Sequence, residues 1–521
     1  MKKEFKFSKL LPWILLLGGY VYNIVFFLSK GKSLIDSDMA SEMLLSDLLN
    51  KQHAIITKDW IYSTEIKVFE GQWFYRIGLL LSPENWLVAR TIGTMIGLTV
   101  FLLGVMYLAK ILEHKELGVW MAAFLAWPFG FWYFFDVILG TFYIPHCIFI
   151  VYPLAITISI AKSIKNGGFK KVIIGLQIAL IFALGVMSGL NGIRQTLIFY
   201  APVFVYAIVV AYLGFREAGL DAIKANVSVK MNFAKVSMIG LVGNVMGYGL
   251  NIVLFTNRYN YSSFNAMTWG NGSDSILKTI KWYFNSYGLF DFATKNFFSL
   301  SGIGAGCGLV LGALVIISIF RLLMLLRKLD ELTQIYVGVM TAVFVVVGAV
   351  FTYIWGEEQY WCPLIPLGVI AVFLEIKCDP ILKDFEKKAL PVLVMLCVML
   401  SAIGTTKANV ATPFRANVGF DGALQFIQEQ GYTKGVASFW MSDCVTELTN
   451  GNVEMWTMND EYTETLLWLQ SNNHREIPDG EFFGLYNIND QEFEDNFEDT
   501  FGVEGQKVYE DERYMIYSYE K

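Results

Sequence analysis

The chain has 521 residues, 55% of them hydrophobic, 16% aromatic and 17% charged, with a mean hydropathy of +0.48, which excludes a soluble globule or a disordered chain and indicates a polytopic membrane protein. Its net charge of −6 is the sum of two unlike parts: residues 407–521 hold 22 acidic and 7 basic side chains, residues 1–406 hold 24 and 33. A basic membrane domain, 1–406, followed by an acidic soluble domain, 407–521, is the expected organisation.

The N-terminal stretch "MKKEFKFSKLLPWILLLGGYVYNIVFFLSKG" lacks a small-residue cleavage site. Its apolar run of roughly 20 residues can cross a bilayer core of about 30 Å, so it reads as a retained first helix. Further apolar runs centre near 86–109, 117–135, 139–161, 172–188, 196–214, 234–255, 300–320, 333–354, 361–376 and 389–406, giving about eleven spans. With a cytoplasmic N-terminus, the segments "KILEHKE", "AKSIKNGGFKK", "FREAGLDAIKANVSVK", "RLLMLLRKLD" and "KCDPILKDFEKK" all fall on the cytoplasmic side, and each carries Lys or Arg. The short opposite loops near 136–146 and 355–360 carry none, and the C-terminal domain falls outside the cell.

Two exterior loops, 30–85 and 256–297, are too long to be connectors alone. In the first, "SLIDSDMASEMLLSDLL" follows the first span directly. Asp36-Ser37-Asp38 offers N-cap chemistry for a helix starting near Met39. Along it Ala40, Met43, Leu44 and Leu48 form an apolar stripe opposite Asp38, Glu42 and Ser46, as expected of a helix lying on the membrane surface with its apolar side down. Trp60, Tyr62, Trp73 and Tyr75 follow and suit the headgroup level. The second loop interleaves aromatics with amides and hydroxyls, so Tyr261 and Trp269 could contribute to an acceptor groove or to an interfacial belt. Glu357 and Glu358 read as rim residues.

In the C-terminal domain "DGALQFIQEQGYTKGVASFW" reads as helix, glycine turn and strand, "TETLLWLQSN" as a second helix, and "KVYEDERYMIYSYEK" as a closing strand pair, together a small α/β domain. Of the six cysteines only Cys444 lies there, which excludes an internal disulfide scaffold. No GxxxxGK[ST] loop, GxGxxG turn, HExxH or paired-histidine spacing occurs, so neither nucleotide binding nor a histidine-rich metal site has support. A divalent metal has no motif behind it, and nothing indicates nucleic acid.

One span, then a long exterior loop opening on acids, some dozen spans in all and an exterior C-terminal domain: this arrangement, with "SDMASEMLL" and "YSTE", resembles the GT-C superfamily of membrane glycosyltransferases, in particular members from Gram-positive bacteria. The resemblance implies a sugar donor linked to polyprenyl phosphate, an envelope glycan or protein as acceptor, and a catalytic aspartate in the first exterior loop. That role falls to Asp38 or Asp36; the Asp-Glu pair of protein mannosyltransferases is here Asp-Ser-Asp, which leaves the choice open. Inverting transfer needs such a base for the acceptor hydroxyl and donors for the departing phosphate. Arg194, beside a glycine-rich break, is the leading phosphate candidate, with Arg90, Arg258 and His146 near outer ends of spans; Glu65, Trp60 and Tyr62 complete the expected substrate-binding set. The competing readings are a helix cap with solvated acids for 36–42, an arginine reaching lipid headgroups for Arg194, and a transporter or lipid flippase for the whole. Against the last, no two-half symmetry is visible and the polar residues gather at outer ends.

Overall fold

The computed structural model describes residues 7–167, 171–224, 228–262, 268–289, 296–411, 419–489 and 491–521; parts of the second long loop thus lie outside the described residues. In chain order the helices are α1 (Phe7–Lys30), α2 (Ser37–Lys51), α3 (Gln72–Leu81), α4 (Trp86–Ile111), α5 (Lys115–Leu125), α6 (Ile144–Asn166), α7 (Lys171–Gly189), α8 (Ala201–Lys224), α9 (Val229–Leu250), α10 (Ile276–Ser286), α11 (Leu300–Met324), α12 (Glu331–Tyr353), α13 (Ile365–Cys378), α14 (Asp384–Ala411), α15 (Phe420–Gln430), α16 (Phe439–Leu448) and α17 (Gln491–Phe501). The chain divides into two compact units: residues 1–23, 97–253 and 266–408, and residues 24–96, 254–265 and 409–521.

Among the described residues, ten helical stretches are long and apolar enough to cross a membrane. The run at 117–135 is not one of them. There α5 stops at Leu125, and a segment containing Pro128 and Gly130 (φ +65°) intervenes before a π-turn over Tyr133–Leu139. Proline has no N–H to donate and disfavours helical geometry in the residue before it, which breaks the apolar run into two buried pieces. Elsewhere in this unit α7 and α9 approach closely through glycines. A Cβ on Gly189 would lie 2.1 Å from the Asn244 carbonyl oxygen, and one on Gly247 would lie 2.2 Å from that of Val186. Small residues at such a contact let two helix backbones meet, which is how helices associate when lipid supplies no hydrophobic drive.

The second unit gathers the first long loop, a short piece of the second and the C-terminal domain. Strands β1 (Trp60–Tyr62) and β2 (Asn260–Tyr261) run parallel, and β5 (Gln470–Ser471) pairs with β1 antiparallel. The C-terminal domain is a five-stranded mixed sheet in which β3 (Lys434–Ser438), β4 (Glu454–Met458), β6 (Glu481–Asn487), β7 (Gly505–Glu510) and β8 (Tyr514–Glu520) take the order β4-β3-β6-β8-β7. The helix–glycine–strand reading of 421–440 holds: α15 ends on Gly431 at φ +72°, a left-handed cap that glycine adopts without strain, and β3 follows. The closing hairpin is β7–β8.

Two expectations fail here. "TETLLWLQSN" is not a helix: Leu466 N–H donates to the Thr457 carbonyl, Thr465 bridges Met458, and Gln470–Ser471 joins β1, so its backbone groups are taken by strands before a helix can form. Leu469 adopts φ +52°, outside helical geometry. Nor does α2 present one apolar side to a membrane. Ser37, Met39, Ala40, Ser41, Met43, Leu45, Ser46 and Leu49 are all buried, because α3 covers one side and α16 another. Met43 packs into a cluster with Tyr75, Leu79, Trp86 and Ala89. Protein, not lipid, takes its apolar stripe.

Candidate active site

The Asp-Ser-Asp stretch opens α2 as its chemistry suggests. Asp36 has extended backbone (φ −113°, ψ 173°), and its Oδ1 accepts the Met39 N–H at 2.9 Å. The carboxyl is 1% exposed. Asp38, two residues on, lies in the first turn and stays partly exposed. One acid is therefore committed to the fold, while the next faces accessible space from a fixed helical position.

That position is fixed by α3 and α4. A Cβ on Gly78 would sit 2.0 Å from the Ala89 carbonyl oxygen, so α3 lies directly against α4 and sets Tyr75 beside Arg90. The guanidinium of Arg90, 2% exposed, is almost fully used by protein. Its Nε and Nη2 donate to the two carboxylate oxygens of Glu447, each at 2.6 Å, its Nη1 to the Tyr75 hydroxyl at 2.9 Å, and its Nη2 also to the Met39 carbonyl at 2.7 Å. The last bond ties α2, the first two tie α16 and the third ties α3, so one residue of α4 joins it to three other helices. Such bidentate, charge-assisted pairs are the strong ones in proteins. Around it Cys444 Sγ approaches Ser37 Oγ at 3.5 Å and the Ile35 carbonyl at 3.6 Å, so α16 follows the start of α2 closely.

Glu42, one turn beyond Asp38, accepts the Gln72 N–H at 3.0 Å. Desolvation, reinforced by the nearby charge of Glu70, pushes its carboxyl up to about 7. In the unfolded chain the group titrates near 4.5, so between 4.5 and 7 the folded protein holds the extra proton and loses stability as pH rises through that window. Replacing Glu42 by Gln keeps the acceptor and removes the ionisation. The variant is expected to melt about 2–4 °C above wild type at pH 8, with the gap closing towards pH 4.5; a gap that ignores pH would show that Glu42 does not titrate this way.

The other expected residues divide between the two units. Trp60 and Tyr62 are buried in β1, and the Tyr62 hydroxyl accepts the Thr57 N–H at 3.2 Å. Glu65 is partly exposed in the same loop, and Arg258 is exposed just before β2. In the first unit, Arg194 follows the break after α7, where Gly192 takes φ +91°. Its guanidinium lies 4.8 Å from the ring centre of Tyr360 and 5.4 Å from that of Tyr143. The next residue, Gln195, donates through Nε2 to His146 Nδ1 at 2.9 Å and to the His146 carbonyl at 3.0 Å. Arg194, His146, Tyr143 and Tyr360 thus form one partly exposed cationic and aromatic cluster. Glu358 accepts from Trp132 and Asn285, and is held by them.

Sequence reasoning missed Glu447 and Asp443, both on α16. Their i, i+4 spacing put two acids on one helix face, but nothing in "FWMSDCVTEL" told that face apart from ordinary solvation.

No protein-family model and no curated protein matches the sequence. The fold is nonetheless shared with solved membrane proteins. ArnT from Cupriavidus metallidurans, solved bound to undecaprenyl phosphate, superposes with a TM-score of 0.55 at 13% identity, over 97% of each chain. Its apo state gives 0.54 at 14% identity with the same coverage. The apo oligosaccharyltransferase of Archaeoglobus fulgidus gives 0.49 at 11% identity over 87% of this chain, which spans 65% of that enzyme's length.

Proposed function

We propose that the protein is an inverting glycosyltransferase that moves a sugar from a polyprenyl-phosphate donor to a hydroxyl of an envelope glycan or protein at the outer face of the membrane. The observation that carries this reading is the contrast between Asp36, buried as a helix cap, and Asp38, kept partly exposed on a helix locked by Arg90. The fold shared with ArnT, whose solved complex holds undecaprenyl phosphate, supports the donor class.

In this reading the acceptor oxygen attacks the anomeric carbon from the face opposite the phosphate. The bond from that carbon to the phosphate oxygen breaks, the lipid phosphate leaves with the electron pair, and the hydroxyl proton passes to Asp38. A carboxylate suits the task because it accepts the proton without competing strongly as a nucleophile from a helix that cannot move towards the sugar. Negative charge gathers on the departing phosphate and calls for a cation; within the first unit the candidate is Arg194, which lies against two aromatic rings with Gln195 and His146 alongside. An open apolar cavity of about 400 Å³ in the first unit, lined by Ile280, Tyr283, Phe344, Gly348, Thr352 and Trp361, has the character an isoprenoid tail requires. The basic segments between spans support a cytoplasmic N-terminus; with ten spans the C-terminal domain would return to that side, so an exterior C-terminal domain requires the broken 115–139 stretch to cross as well.

The test compares envelope glycans and lipid-linked sugars in a deletion strain with and without the wild-type gene. Loss of one sugar decoration, accumulation of its polyprenyl-phosphate precursor at the outer leaflet and recovery on complementation are expected. Accumulation confined to the inner leaflet would identify a flippase, and unchanged glycans would end the transferase reading.

A further inference from the structure

The second unit holds a carboxyl that the transfer chemistry leaves unused. Asp443 lies on α16 one turn before Glu447 and is 1% exposed. Neither of its oxygens meets a hydrogen-bond partner among the described residues. Three of its neighbours on the helix are engaged: Ser442 Oγ pairs with Thr457 Oγ1 at 2.8 Å, Cys444 with Ser37, and Glu447 with Arg90. Burying a polar group in this way carries a desolvation penalty that a hydrocarbon side chain in the same place would not. Burial first, then the like charges of Asp38 and Glu447, hold the Asp443 carboxyl well above the usual carboxylate range. That favours the protonated form, and a protonated carboxyl offers one O–H donor together with carbonyl acceptor capacity. Donor and acceptor on one rigid group, in the field of the partly exposed Asp38, form the complement that a carbohydrate hydroxyl presents.

We propose that Asp443 is a substrate-binding residue contributed by the C-terminal domain to the Asp38 site, where its carboxyl both gives a hydrogen bond to and takes one from hydroxyl groups of a carbohydrate. This assignment rests on the transferase reading. It makes the C-terminal domain part of the site. Asp38 carries away the proton of the reaction, while Asp443 orients the ligand without changing its own protonation. Both residues then sit on helices that Arg90 joins, α2 through the Met39 carbonyl and α16 through Glu447.

Two variants separate the roles. Asp443→Asn keeps a neutral donor and acceptor of the same shape; Asp443→Ala removes both. In the complemented deletion strain, at matched membrane levels, Asp443→Ala is expected to lower the sugar decoration more than about 10-fold, and Asp443→Asn to recover most of it, to within about threefold of wild type. Purified Asp443→Ala protein is expected to melt no lower than wild type, since it loses a buried polar group that no protein atom satisfies. The infrared spectrum of wild type minus Asp443→Asn at pH 7 is expected to show the C=O band of a protonated carboxylic acid. Glu42, also partly protonated there, cancels in the difference. Full activity of the Ala variant, an Asn variant no better than Ala, a markedly lower melting temperature for Ala, or the absence of the band would each overturn the assignment. If deletion leaves every glycan unchanged, the transferase reading fails first, and the infrared band still reports independently on the state of Asp443.

Discussion

Asp38→Asn is expected to lower sugar transfer by about 10²–10⁴-fold, the usual contribution of a positioned general base. The amide keeps the size of the side chain and its place in the first turn of α2, so binding of donor and acceptor survives while the proton acceptor is lost. The informative control is Asp36→Asn. Asparagine caps a helix as well as aspartate does, and Asp36 is buried against its own helix end, so this variant is expected to keep most activity and to melt close to wild type. Transfer measured with a radiolabelled polyprenyl-phosphate sugar and membranes of each strain reads both. If Asp38→Asn is active and Asp36→Asn is not, the base is the buried acid, and the accessibility argument is wrong.

The second large effect belongs to the pair that joins α4 to α16. Glu447→Gln leaves the Arg90 guanidinium buried with one charge partner gone, and Arg90→Met leaves a carboxylate 2% exposed without the two hydrogen bonds that Arg90 supplied to it. Removing one member of a buried ion pair costs about 3–5 kcal/mol, because the survivor keeps its desolvation penalty without the compensating attraction. The double variant Arg90→Met with Glu447→Leu is expected to recover much of the loss, since two hydrocarbons need no partner. Melting curves of the purified proteins would show strongly destabilised single variants and a double variant well above the sum of the two. Single variants within about 1 kcal/mol of wild type would mean that water reaches the pair.

The parts of the fold written in local chemistry could be read from the sequence. Ten spans follow from apolar length, the start of α2 from an extended aspartate before a serine, and α15–β3 from a glycine free to take positive φ. The break at 126–132 was also present in the sequence, as Pro128 and Gly130, but composition across 117–135 outweighed those two residues. What stayed hidden depends on partners far along the chain. "TETLLWLQSN" has the spacing of a helix, yet β1 and β4 claim its backbone groups. The place of Asp38, just after a span and in the first turn of a helix, was legible; the catalytic role remains a proposal. The burial of Asp443 and the ion pair of Glu447 were not legible, because no local pattern encodes burial by residues some 350–400 positions away.

Arg90 and Glu447 are separated by 357 residues. At translation speeds of about 5–20 residues per second, the arginine waits roughly 20–70 seconds after its synthesis before its partner exists. During that interval α4 enters the membrane with an unneutralised cation near its end, and α2 has no α16 to cover it. A product that ends before Glu447 keeps an arginine without its carboxylate and a helix without the cover that α16 gives, so the contact that steadies this unit is made only once residue 447 has been synthesised.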